Sequence, residues 1–84
     1  MAGIASELRS KLQRDPNALV HLIVRLTDEP NTHVADVQAR GITVRRTFTL
    51  IPAIAIEGTA AASLALADQP WVLSIEEDKP VHTM

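Results

Sequence analysis

The chain has 84 residues, no cysteine, and 8 Lys and Arg against 10 Asp and Glu, a formal charge of −2. One small domain follows, held by packing alone, with no disulfide, no thiolate nucleophile and no cysteine metal site. Mixed charge and only Phe48 and Trp71 as aromatics argue against a nucleic-acid footprint, no stretch has membrane-spanning length, and the opening Met-Ala-Gly-Ile-Ala-Ser-Glu lacks the basic and apolar regions of a signal peptide.

Ala2 to Gln13 reads as a helix, with Ile4, Leu8 and Leu12 at successive i+4 positions and Asp15-Pro16-Asn17 as its stop. Three large apolar residues form a thin stripe, so this helix must pack on the domain or on a partner. Val20 to Leu26 is the strongest strand signal: Val20, Leu22, Val24 and Leu26 share one face, His21, Ile23 and Arg25 the other. After the turn Thr27 to Asn31, a short helix capped by Asn31 or Thr32 runs to Arg40, buries Val34 and Val37, and stops at Gly41. Ile42 to Leu50 is a second strand, with Ile42, Val44, Phe48 and Leu50 on the apolar face and Thr43, Arg45, Thr47 and Thr49 opposite. Strict alternation puts Arg46 on the apolar face, which predicts a bulge or an edge position there.

Ile51-Pro52 separates that strand from Ala53 to Glu57, its hairpin partner, where Ile54 and Ile56 face one way and Ala53, Ala55 and Glu57 the other. Thr59 caps an Ala-rich helix through Ala67 whose stripe is Ala60, Leu64 and Ala67, and Gln69-Pro70 closes it. Val72 to Ile75 is the last strand, ended by Glu76-Glu77-Asp78; Pro80 then directs Val81 to Met84 away as an extended peptide. Taken alone, that tail reads as a frayed terminus.

The expected fold is α+β: a ferredoxin-like βαββαβ domain with a four-stranded antiparallel sheet, two helices on one face and an extra N-terminal helix. Residues 1–18 are the helical extension, 19–78 the domain and 79–84 the tail. The expected core includes Val44, Phe48, Ile54, Ile56, Leu64, Leu73 and Ile75. The uncovered face carries Ile23, Arg25, Thr47, Ala53, Ala55 and Ser74, too apolar for a solvated surface and too polar for a core, which is the outline of a docking face. Glu76 and Asp78, two apart on extended backbone, project onto that face while Glu77 points away; such a pair suits the N–H groups at a partner's helix N-termini. His21, His33 and His82 are scattered, and no spacing builds a catalytic set or a metal or cofactor site, so no enzyme is expected.

Val20 to Met84 resembles the propeptide inhibitors of subtilisin-like serine proteases, the I9 type. The resemblance is carried by His21-Leu22-Ile23-Val24-Arg25-Leu26, Gly41-Ile42-Thr43-Val44-Arg45-Arg46-Thr47-Phe48, Ile51-Pro52-Ala53-Ile54-Ala55-Ile56 and Gln69-Pro70-Trp71-Val72-Leu73-Ser74-Ile75-Glu76-Glu77-Asp78, in that order. It implies that the open sheet face docks on two surface helices of the protease, that Glu76 and Asp78 cap them, and that Val81, His82, Thr83 and Met84 occupy the P4 to P1 positions as a product mimic, with Val81 and Met84 as apolar anchors. It also implies a folding-chaperone role toward that protease. The expected partner is therefore a subtilisin-like serine protease, with no nucleic acid and no membrane, and the free chain a monomer. A free-standing inhibitor is favoured over an excised prodomain; the location is left open, cytoplasmic in the first case and extracellular in the second. The alternative is an ACT-like regulatory module that binds a small molecule, which shares the βαββαβ order but needs no tail.

Overall fold

A computed structural model describes residues 3–78, and among them five strands and three α-helices build an α+β domain with one mixed, open sheet. The elements are β1 (Gly3–Ile4), α1 (Ser6–Arg14), β2 (Leu19–Leu26), a 3-10 turn (Pro30–Thr32), α2 (Val34–Ala39), β3 (Thr43–Phe48), β4 (Ala53–Thr59), α3 (Ala60–Leu66) and β5 (Val72–Glu77). The strand order is β1-β5-β2-β4-β3. None of these helices is long and apolar enough to cross a membrane.

The four-stranded antiparallel expectation is corrected at the N-terminus. Gly3 and Ile4 form a short fifth strand that pairs parallel to β5, opposite Ser74 and Ile75. Ile4 fits a helical i+4 series, but a residue opposite a core isoleucine satisfies the same apolar requirement from a strand, and the spacing alone does not separate the two. The helix begins only after Ala5, whose ψ of 140° is extended, so its buried stripe is Leu8 and Leu12. Both belong to the same core cluster as Leu22, Val24, Ile54, Ile56 and Ile75, and α1 packs beside α3.

The core lies between the helices and one face of the sheet. β2, flanked by β4 and β5, contributes Leu22, Val24 and Leu26 in strict alternation, and β4 contributes Ile54 and Ile56. In α3 the buried face is Ala60, Ser63, Leu66 and Ala67, a slightly different stripe from the expected one, with Leu64 only partly buried. Ser63 is accommodated because its hydroxyl donates to the Thr59 carbonyl at 2.9 Å, as helical serines do when buried. Thr59 caps α3 as expected, its hydroxyl oxygen accepting from the Ala62 N–H at 3.2 Å. Gly41 ends α2 in the left-handed region, φ 81°, with its N–H on the Gln38 carbonyl. No side chain caps α2; Pro30 and the 3-10 turn lead into it instead. His33 stacks on Trp71 with ring centroids 4.1 Å apart, and its Nε2 lies 2.6 Å from the Asp28 carboxylate. This contact and the Thr27 N–H on the Trp71 carbonyl join the loops at one end of the sheet.

Leu12 is fully buried, whereas Leu50 in the β3–β4 hairpin is 99% exposed. Leu12→Ala is therefore expected to cost about 2–5 kcal/mol in urea unfolding, a large part of the roughly 4–12 kcal/mol available to a chain of this size, and Leu50→Ala close to nothing. An equal, small effect at both positions would mean that α1 is not part of the core.

Candidate docking face

Among the described residues the helices cover one side of the sheet only, and the register defines what stands on the other. Residues directly opposite in adjacent strands project to the same side of a sheet. One row across β5, β2, β4 and β3 is Ser74, Arg25, Ala53 and Phe48. The next is Glu76, Ile23, Ala55 and Arg46. The third holds His21, Glu57 and Thr43, extended by Asp78, whose N–H donates to the His21 carbonyl at 3.0 Å. Ala53 and Ala55 are only 4% and 5% exposed although no helix covers them. They form the floor of a trough with Ile23 and Arg25 on one bank and Arg46 and Phe48 on the other; the exposed Leu50 and Ile51 stand at its hairpin end.

The structure thus brings Ile23, Arg25, Ala53, Ala55 and Ser74 together as the sequence implied. It corrects Thr47. Its register partner is Ile54, fully buried in the core, so Thr47 borders the trough but directs its side chain to the helix side, toward a recess beside Pro30 and Asn31. The cause is the expected bulge, with Arg45 as the extra residue between the pairs Val44–Ile56 and Arg46–Ala55. One inserted residue reverses the phase of everything after it, so Phe48 moves from the expected core to the open face and two consecutive arginines share that face. Val44-Arg45-Arg46 carried the signal for the bulge; the consequence for Phe48 follows only if the phase is carried through. A second register shift, between Arg25 and Leu26 of β2, leaves Leu73 as the extra residue of β5, 54% exposed where a core residue was expected.

The acidic run divides as the period-2 argument requires. Glu76 and Asp78 stand on the open face, and Glu77, opposite Leu22, lies on the helix side with its Oε2 2.7 Å from Lys11 Nζ. At the far bank Arg45 Nη1 donates to Glu57 Oε1 at 2.7 Å, an exposed pair of small energetic weight. The face is therefore acidic along β5 and basic along β3, with an apolar floor between. Val81, His82, Thr83 and Met84 lie outside the described residues. Among the described residues no group of three or more His, Asp or Glu side chains is arranged to hold a metal ion. No protein-family model and no curated protein matches the chain.

Because Phe48 is half-buried on the open face, Phe48→Ala is expected to cost about 1–2 kcal/mol, against about 2–5 kcal/mol for the fully buried Ile56→Ala. Chemical denaturation of the two variants measures the difference, and a larger loss at Phe48 than at Ile56 would return Phe48 to the interior.

Proposed function

We propose that this protein inhibits a subtilisin-like serine protease by docking its open sheet face on the enzyme and running residues 79–84 into the substrate groove. The observation that carries this reading is the pair Glu76 and Asp78, side by side on the open face beside an apolar trough, while Glu77 is tied to Lys11 on the other side. An uncovered face with a dry floor and carboxylates along one bank suits a protein partner rather than water. The order β5-β2-β4-β3 agrees with a ferredoxin-like domain, to which β1 adds a fifth strand, and so supports the resemblance of Val20 to Met84 to propeptide inhibitors.

In this mechanism the trough receives the surface helices of the protease. Glu76 and Asp78 accept hydrogen bonds from the free N–H groups at those helix N-termini, where the helix dipole favours an anion by about 0.3–1 kcal/mol each, and more when partly buried. Their separation of two residues, about 6.7 Å along the strand, lets each carboxylate serve a different N–H cluster. In this mechanism Val81 to Met84 pair with enzyme backbone as a substrate strand does, with Val81 and Met84 in apolar subsites.

Changing Glu76 and Asp78 together to Gln and Asn is expected to weaken inhibition by about 1–3 kcal/mol, roughly 5- to 150-fold in the inhibition constant, with an unchanged melting temperature. Glu77→Gln alters the contact to Lys11, on the side away from the open face, and leaves inhibition unchanged. Removing residues 81–84 abolishes active-site inhibition without unfolding the domain. Residual activity of a subtilisin-like protease titrated with each variant is the measurement; equal effects at all three acids, or full inhibition by the tail-less chain, would overturn this mechanism.

A further inference from the structure

The charge pattern of the open face is complementary to itself. Glu76 and Arg46 stand in the same row but in strands three spacings apart, about 14 Å, too far to pair within one chain. Both are exposed, and neither has an ion-pair partner among the described residues. We propose that two copies of this chain associate face to face through their open sheets, about a two-fold axis that lies between the sheets and runs along the strands.

That axis turns β5 of one protomer over β3 of the other and β2 over β4, row on row. Glu76 then faces Arg46 of the second copy, and by symmetry the contact occurs twice. Ile23 comes over the alanine floor at Ala55, and His21 over Glu57. The other axis available to two facing sheets, across the strands, sets β5 on β5 and brings Glu76 against Glu76, which like-charge repulsion disfavours. Facing sheets align within about 30°, which retains these pairings. Isologous contact of one patch with itself is also the commonest route to a dimer. Four strands about 4.8 Å apart and six residues long give a face of roughly 19 by 20 Å on each copy, about 760 Å² for the two together and below the standard size of a specific interface, so the association is a weak, transient monomer–dimer exchange in the micromolar range or above rather than an obligate dimer. It does not depend on the protease reading and needs no second protein.

Sedimentation velocity of the chain alone, over concentrations bracketing the micromolar range, tests it. The wild type is expected to pass from monomer to dimer. Glu76→Arg and Arg46→Glu each replace two attractions by two repulsions and move the transition about tenfold or more upward in concentration. An equimolar mixture of the two variants restores association, because in the mixed dimer the two introduced side chains, of opposite charge, meet each other at one contact and the unchanged Arg46 meets the unchanged Glu76 at the second. Both positions are exposed, and circular dichroism verifies that each variant is folded. A wild type that remains monomeric throughout leaves the face to a different protein and overturns the proposal, as do single variants that associate like the wild type or a mixture that does not regain association.

Discussion

Among the described residues the helices cover one face of the sheet, and the arrangement of every strand answers to that constraint. The large apolar side chains of β2, β4 and β5 go to the helix side, where Leu22, Val24, Ile54, Ile56 and Ile75 meet Leu12, Val37 and Leu66 at essentially zero exposure. On the bare side the trough-lining residues of β4 are Ala53, Ala55 and Glu57. Small side chains in the central strand let longer neighbours close over them, so Ala53 and Ala55 are dry without a covering layer. The same economy leaves Ile23 and Phe48 half in water. A single-layer sheet of this kind gains less from burial than a two-layer one, and the unspent apolar area is what a partner can use.

Edges tell where that partner can come from. A bare sheet edge invites strand addition, but here β1 runs along the outer side of β5, and β3 at the other edge is bulged and carries Arg45 and Arg46. With one edge ended by the two-residue β1 and the other bulged and charged, the face is the more available surface. The N-terminal segment contributes a further constraint, since Leu8 and Leu12 seat α1 in the core and Lys11 pairs with Glu77 on the helix side. An exposed ion pair adds little to stability. It follows the register rather than setting it: alternation along β5 puts Glu77 on the helix side and Glu76 and Asp78 on the open face.

Where alternation runs uninterrupted, the sequence was legible. Val20 to Leu26 and Ala53 to Glu57 have the faces their residues imply, and Thr59 and Gly41 bound their helices by chemistry visible in the residues themselves. Legibility ended wherever one residue was inserted. Alternation carries phase along a strand, so an extra Arg45 reverses the reading from there to the hairpin and misassigns Thr47 and Phe48, whereas an extra Leu73 misassigns itself and leaves Ser74 to Asp78 in phase. The parallel pairing of Gly3 and Ile4 was hidden for another reason. Two residues cannot show a period, and their partners Ser74 and Ile75 stand near the opposite end of the chain, so only the finished sheet reveals them.

The candidate site was more legible than the fold around it because its acids follow the last bulge. From Ser74 to Asp78 the phase is unbroken, and the two carboxylates that matter are fixed by their spacing alone. The arginines opposite them were not, since Arg46 reaches the face only through the bulge at Arg45. That difference separates the two associations proposed for the face. Helix N-termini of an enzyme engage the acidic bank and leave the basic bank indifferent, whereas a second copy requires both banks at once. The two associations therefore compete for Glu76, and mass action ranks them: at concentrations below the dimer's dissociation constant the face is free and self-association takes little from the affinity for another protein, while above it each further copy mostly occupies a face already present.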